Sequence, residues 1–170
     1  MISEDFRILL VEDDPILQFT FEQQIAKIGF SLASVAGDGQ SAVEKVLNEE
    51  FHLVFMDVRL PILDGLGATA KIRTGQISEG RYTPIVGLTA FAHRGKCLKV
   101  GMDDFLQKPV TLEELQEVVT KWSDPSERKK LAPSKKTEPA SVALEDFSAI
   151  DARLKSIKDK ISKLRKKHSL

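Results

Sequence analysis

The chain has 170 residues, 42% hydrophobic and 29% charged, a composition that suits one domain of common size with an appendage. Its single cysteine, Cys97, excludes an internal disulfide framework, and no apolar run approaches the roughly 18 residues of a membrane helix. The 25 basic and 25 acidic residues cancel overall, and residues 1–5 lack the basic start and apolar middle of a secretion signal. We therefore expect a cytoplasmic protein without a membrane span.

The first part of the chain alternates apolar runs of strand length with segments of helical period. Arg7–Val11 predicts a strand, Asp14-Pro15 opens a helix and Gly29 ends it. The apolar stripe of that helix is Leu17, Phe21, Ile25 and Ile28. A second helix follows Gly37, with the stripe Ala42, Val43, Val46 and Leu47.

Further strand and helix units continue this pattern. The runs that predict strands are Leu53–Met56, Ile85–Leu88 and Phe105–Gln107. Pro61 belongs in a loop, Asp64-Gly65 opens a third helix, and the polar segment Arg73–Tyr82 predicts a surface connection. The last helix has the stripe Leu112, Leu115, Val118, Val119 and Trp122. Five such units predict an α/β fold with a mainly parallel sheet.

Polar residues stand where four of the predicted strands stop. Glu12 and Asp13 follow the first strand, Asp57 the third, Thr89 the fourth and Lys108 the fifth. In a flavodoxin-like, doubly wound five-stranded sheet of order 2-1-3-4-5, all these ends share one edge and a crevice opens between strands 1 and 3. Three carboxylates, a hydroxyl and an ammonium would then meet in one shallow site.

Such a site suits a divalent cation and a phosphoryl group. Crowded carboxylates repel one another, and Mg²⁺ cancels that repulsion while accepting hard oxygen ligands. We expect Asp13 and Asp57 to be direct ligands and Glu12 to act through water. Asp57 can attack phosphorus and form an acyl phosphate. Lys108 and Mg²⁺ would supply charge, and Thr89 would donate a hydrogen bond to a phosphoryl oxygen.

Four segments resemble the receiver domains of two-component response regulators. They are Leu10–Pro15, Phe55–Gly65, Gly87–Ala90 and Gly101–Pro109, and the resemblance covers about residues 5–122. It implies that Asp57 is the phosphoacceptor, that Glu12 and Asp13 are the acidic pair for Mg²⁺, and that the backbone carbonyl of Arg59 is a further ligand.

The same resemblance implies roles for the residues around strands 4 and 5. Thr89 would be the switch hydroxyl, and Lys108 the phosphate-pairing cation before a cis Pro109. Phe105 would be an aromatic that turns inward on phosphorylation, although from the sequence alone it could equally be a core residue. The motifs are most similar to receivers of hybrid histidine kinases and phosphorelays, which implies a histidine kinase or a histidine phosphotransfer protein as the partner.

One interval departs from the family pattern. Thr89 and Lys108 are 19 positions apart, which is about one helical turn shorter than is usual in the family. We expect the missing length in residues 92–100, the fourth helix. Receivers usually signal through the face made by helix 4, strand 5 and helix 5, so this output face is expected to be unusual.

The C-terminal part has a different composition and charge. Residues 1–122 carry 12 Lys or Arg and 18 Asp or Glu, whereas residues 123–170 carry 13 and 7. Prolines among Ser, Lys and Glu predict a flexible linker over 123–141. Apolar residues then recur at heptad spacing and predict an amphipathic helix over 142–170: Phe147, Ile150, Leu154, Ile157, Ile161 and Leu164. This helix must pack on a second copy, on the body or another protein, or on a membrane or nucleic acid; nucleic acid is the less expected, because no DNA-reading helix pair is visible.

The sequence therefore predicts a receiver at 1–122 that works as a phosphoacceptor signalling switch without an enzymatic output domain. An alternative is an adaptor in which the receiver fold is a docking surface and the heptad helix binds a partner or a second copy. A hydrolytic enzyme is disfavoured, because Asp57 is followed by Val58 and Arg59 and so lacks the Asp-x-Asp arrangement of aspartate-dependent phosphatases.

Overall fold

The computed structural model describes residues 6–90 and 94–131, and in these ranges strands and helices alternate as the sequence predicts. The strands are β1 (Ile8–Val11), β2 (Leu32–Ala36), β3 (Leu53–Asp57), β4 (Ile85–Thr89) and β5 (Asp104–Gln107). The helices are α1 (Pro15–Lys27), α2 (Gly39–Asn48), α3 (Gly65–Glu79), α4 (Arg94–Lys99), α5 (Leu112–Ser123) and α6 (Pro125–Leu131). Within the described part of the chain, no helix combines the length and apolar character needed to span a membrane.

The five strands form one parallel sheet in the order β2-β1-β3-β4-β5. This order confirms the predicted doubly wound fold. It places β1 directly beside β3, with Val11 opposite Met56. The residues that follow these two positions therefore emerge at the same edge of the sheet, at its topological switch point.

Both faces of the sheet are covered, and β3 contributes to each in turn. Val54 and Met56 pack with α2, α3 and α4, whereas Leu53 and Phe55 pack with α1 and α5. Strands buried on both faces read as continuous apolar runs, which is why the sequence shows no polar alternation here. The run ends at Asp57, where the strand reaches the edge of the sheet.

Side-chain caps fix the starts of the helices that lead away from this edge. Asp14 Oδ1 accepts hydrogen bonds from Ile16 N (2.7 Å) and Leu17 N (3.3 Å), so Asp14 is the N-cap predicted for α1. Asp64 caps α3 in the same way by accepting from Gly67 N at 2.7 Å. Satisfying these otherwise unpaired amides sets where each helix begins after its strand.

The segment Arg73–Tyr82 is not the surface connection that its polar sequence predicts. Helix α3 continues to Glu79 and ends at Gly80, which has a φ of 66°. Arg73 instead joins this helix to the chain before β5: its Nη2 lies 2.7 Å from Asp103 Oδ2 and its Nε donates to Gly101 O at 2.8 Å. Within this segment Gln76 is buried and Arg73 and Tyr82 are half-buried, whereas Thr74, Ser78 and Glu79 lie exposed on the helix.

The first part of the predicted linker at 123–141 contains a helix, α6. Asp124 Oδ1 accepts from Ser126 N at 2.8 Å and starts α6. Arg128 then donates to the Trp122 carbonyl at 2.6 Å and lies over the ring of Phe6, 5.3 Å from its centroid. The rest of the predicted linker and the predicted helix over 142–170 lie outside the described residues.

Helix α4 has six described residues, Arg94–Lys99, within the segment where the sequence predicts a shortened helix. It packs closely on the sheet because Gly87 leaves room for two sulfur atoms. A Cβ at Gly87 would lie 2.7 Å from Met102 Sδ and 3.4 Å from Cys97 Sγ. Burial raises the pKa of the Cys97 thiol, so its role here is packing.

Candidate functional site

Three carboxylates meet where β1 and β3 end. One oxygen from each of Glu12, Asp13 and Asp57 lies within 4.8 Å of the others. Glu12 and Asp57 are buried, whereas Asp13 is exposed. The cluster is therefore open to solvent on the side of Asp13.

Lys108 places its ammonium against the two buried carboxylates. Its Nζ lies 2.5 Å from Glu12 Oε2 and also contacts Asp57 Oδ2. The Lys108 backbone N–H donates to the Thr89 carbonyl at 2.8 Å, and the peptide bond to Pro109 is cis, as the resemblance implies. The turn after β5 thus directs this side chain across β4 to the ends of β1 and β3.

Burial and charge act against each other in this cluster. Burial raises the pKa of Glu12 and the Asp57 charge adds to the effect, although the hydrogen bond from Lys108 opposes it. Burial alone would lower the pKa of Lys108, but its hydrogen bonds to Asp57 and Glu12, together with their charges, outweigh burial and raise it. Lys108 therefore stays cationic and partly offsets the acidic charge.

The backbone on both sides holds the acidic residues in place. Asp57 Oδ1 accepts from Arg59 N at 2.8 Å, and Glu12 Oε1 accepts from Asp14 N at 3.3 Å. Gly65 closes the loop after β3 by donating to the Val58 carbonyl at 3.0 Å. A Cβ at Gly65 would lie 2.0 Å from the Asp57 carbonyl oxygen, so only glycine allows this closure.

Thr89 and Phe105 occupy the strands next to this cluster. Thr89 is the buried last residue of β4, and its neighbour Leu88 is opposite Asp57 in the sheet. Phe105 is half-buried in β5, opposite Gly87. The structure brings the side chains of Glu12, Asp13, Asp57 and Lys108 together. The roles of Thr89, Phe105 and the Arg59 carbonyl remain predictions.

A cavity of about 380 Å³ adjoins the acidic site, and the sequence analysis did not anticipate it. Leu17, Phe21, Leu88 and Val110 form apolar walls, and Glu12 and Lys108 contribute polar groups. The predicted stripe assigned Leu17 to the core, but 42% of it is exposed. The sequence did contain a signal for exposed apolar residues on α1. Ile16 and Phe19 add to the apolar stripe and exceed what one buried stripe requires.

The donor set suits a small, hard divalent cation. Mg²⁺ binds carboxylate oxygens and keeps several waters, and a cluster with one exposed member leaves space for those waters. The Lys108 ammonium does not prevent cation binding, because three carboxylates carry more negative charge than one lysine offsets.

Comparison with known proteins points to one family. The response regulator receiver domain family matches residues 8–120. The chain is 38% identical over 121 residues to the sensor protein GacS of Pseudomonas syringae pv. syringae, an alignment that covers 69% of this chain and 13% of that protein. It is 36% identical over 124 residues to hybrid signal transduction histidine kinase G of Dictyostelium discoideum, an alignment that covers 71% of this chain and 4% of that protein. The chain therefore spans only a small part of the length of these relatives.

Two solved structures extend the comparison. The receiver domain of a sensor histidine kinase from Pseudomonas aeruginosa PAO1, with a magnesium ion coordinated in its active site cleft, has a TM-score of 0.61 and 37% identity, covering 69% of this chain and 96% of that one. The second is the co-crystal structure of the Saccharomyces cerevisiae histidine phosphotransfer signaling protein Ypd1 and the receiver domain of its downstream response regulator Ssk1. It has a TM-score of 0.64 and 34% identity, covering 69% of this chain and 88% of that one. The match over residues 8–120 shows that this chain belongs to the response regulator receiver domain family.

Proposed function

We propose that the chain is a phosphoacceptor signalling switch in which Asp57 receives a phosphoryl group from a phosphohistidine. The observation that carries this proposal is the convergence of Glu12, Asp13 and Asp57 within 4.8 Å, with the Lys108 ammonium against two of them. This arrangement combines a nucleophile with fixed charge, and phosphoryl transfer depends mainly on alignment and charge neutralisation.

In the transfer step, an Asp57 carboxylate oxygen forms a bond to phosphorus while the bond from phosphorus to the donor's imidazole nitrogen breaks. The electron pair of the broken bond stays on that nitrogen, and the product is an acyl phosphate on Asp57. Arg59 N and Lys108 hold the carboxylate in place before the reaction. Mg²⁺, bound by Asp13 and Asp57, by Glu12 through water and by the Arg59 carbonyl, would neutralise charge on the phosphoryl oxygens.

The phosphoryl group then creates new hydrogen-bond acceptors beside β4 and β5. We propose that Lys108 moves from the Asp57 carboxylate to a phosphoryl oxygen and that the Thr89 hydroxyl donates to another. Since Thr89 ends β4 and Phe105 lies in the neighbouring β5, movement of Thr89 would change the surface around α4, β5 and α5. A histidine kinase or a histidine phosphotransfer protein would supply the phosphoryl group.

Incubation with Mg²⁺ and acetyl phosphate tests the proposal. We expect one phosphoryl group per chain by intact mass, with the acid stability and base lability of an acyl phosphate. Replacing Mg²⁺ with EDTA should prevent labelling, because Lys108 alone would then offset the charge on the phosphoryl oxygens. An adaptor that uses the receiver fold only for docking would remain unlabelled in both conditions.

We also propose that the heptad helix predicted over 142–170 joins two copies of the chain. A chain ending at Pro133 keeps every described strand and helix, so it should stay folded and lose self-association. Light scattering should then give a dimer for the full chain and a monomer for the shortened one. Equal numbers of copies per particle in both would contradict this role.

A further inference from the structure

The cavity beside the acidic site lies between α1 and the turn after β5. Leu17 and Phe21 line it from the helix, and Val110 lines it from the turn. A hydrogen bond joins these two walls, because Gln24 Nε2 donates to the Val110 carbonyl at 3.1 Å. The walls are therefore fixed relative to each other, and the cavity is formed before any ligand arrives, as most small-molecule sites are.

The size and surroundings of the cavity favour a small molecule over a segment of another protein. Its volume is about 380 Å³, and small-molecule sites typically enclose about 300–1,000 Å³. A docked peptide strand needs the free edge of a sheet, but the strands that contribute Leu10 and Leu88 to the lining, β1 and β4, are internal. A docked helix needs a groove that receives side chains from successive turns, whereas this cavity lies between one helix and a turn.

The charged groups of the lining are a carboxylate and an ammonium, and they pair with each other. Lys108 Nζ lies 2.5 Å from Glu12 Oε2, so the two charges balance. A charged ligand would lose its hydration here without gaining a counter-ion of its own, which is costly between apolar walls. The hydrogen bond that Glu12 Oε1 accepts from Asp14 N is long, at 3.3 Å, and a carboxylate oxygen can accept a second one. The lining thus favours an uncharged ligand with a hydrogen-bond donor.

The rest of the lining indicates the apolar part of the ligand. Leu10, Phe21 and Leu88 are buried, and all three line the cavity. A planar aromatic molecule would gain from contact with the Phe21 ring in addition to the apolar area that it buries. We propose that the cavity binds a small, uncharged aromatic molecule that donates a hydrogen bond to Glu12.

Three probes of similar shape test the chemistry of this ligand. Indole-3-ethanol is uncharged, tryptamine carries an ammonium group and indole-3-acetate carries a carboxylate. Calorimetry measures their binding to the full chain with Mg²⁺ present, so that the acidic cluster does not itself attract the amine. We expect a Kd of about 1 mM or lower for indole-3-ethanol, the range for a ligand of this size. The two charged probes should bind about tenfold more weakly or worse, because each must bury a charge. Equal affinity for all three, or no binding of indole-3-ethanol, would overturn the proposal.

Substitutions on α1 test where the probe binds. Thr20 is exposed and lines the cavity, so Thr20→Trp should keep the fold and weaken indole-3-ethanol binding about tenfold by obstructing the opening. Leu17→Ala removes part of one wall and should weaken binding about threefold. Phe19→Ala is the matched control, because Phe19 is an exposed apolar residue of the same helix that does not line the cavity. Wild-type affinity in both cavity variants, or an equal loss in Phe19→Ala, would overturn the proposal; thermal unfolding checks that each variant is folded.

A ligand in the cavity would also act on the acidic site, because Glu12 and Lys108 belong to both. Packed against Lys108, it would hold the ammonium near Glu12 and hinder its movement to a phosphoryl oxygen. This regulatory effect rests on the proposed function, whereas the binding site does not. We expect saturating indole-3-ethanol to slow labelling by acetyl phosphate about fivefold in the wild type and to leave the rate of Thr20→Trp unchanged. An unchanged rate in the wild type would contradict the regulatory effect. Absence of labelling without the probe would contradict the proposed function, and the calorimetry would still decide whether the cavity binds its ligand.

Discussion

Replacing Asp57 with asparagine is expected to abolish phosphorylation and leave the protein folded. The amide lacks the carboxylate that attacks phosphorus, but it keeps an oxygen that can accept the hydrogen bond from Arg59 N. Lys108 loses one partner and retains Glu12, so its charge stays paired. Intact mass after incubation with acetyl phosphate and Mg²⁺ measures labelling, and circular dichroism measures folding.

Asp14→Asn is the matched control for this substitution. Asp14 is also an acidic residue beside the site, but it caps α1, and asparagine caps a helix about as well as aspartate. The control should therefore be labelled like the wild type. Labelling of Asp57→Asn at another carboxylate, such as Asp13, would show that position 57 is not the acceptor.

Replacing Asp103 with alanine is expected to lower the free energy of unfolding by about 3–5 kcal/mol, the range for breaking a buried ion pair. The side chains of Asp103 and Arg73 are only 5% and 13% exposed. Burial raises the pKa of Asp103 and lowers that of Arg73, so each charged form depends on the other. Asp103 also accepts hydrogen bonds from Ile85 N at 2.7 Å and from the Tyr82 hydroxyl.

Asp104→Ala provides a neighbouring comparison. Asp104 pairs with Lys121 at 2.8 Å, but these side chains are 27% and 45% exposed. Exposed ion pairs contribute about 1 kcal/mol or less, so urea unfolding should show a much smaller loss for this variant. Losses of similar size for the two variants would contradict the structural role given to the Arg73–Asp103 pair.

The sequence was sufficient to predict the acidic site because its residues follow strands directly. Once the strand order is 2-1-3-4-5, Asp13 and Asp57 must lie at neighbouring ends, and no long-range side-chain detail is needed. Lys108 was predictable for the same reason. The caps Asp14 and Asp64 were visible too, since a cap depends on residues only two or three positions away.

Features that depend on distant partners could not be predicted in this way. Arg73 reads as a polar loop residue because its partner, Asp103, is 30 positions away. Helix α6 reads as linker because Arg128 contacts Phe6 from the other end of the sequence. No local sequence pattern predicts the positive φ of Ile62, because isoleucine disfavours that conformation.

The contact of Lys108 with two buried carboxylates has a consequence for how the protein folds. The chain carries its own counter-ion, so the electrostatic cost of burying Glu12 and Asp57 is reduced before any metal arrives. We therefore expect folding to be independent of chelators, unlike that of small zinc-dependent domains that unfold without their ion. The magnesium concentration around the protein would govern how fast the site reacts, while the native structure persists without it.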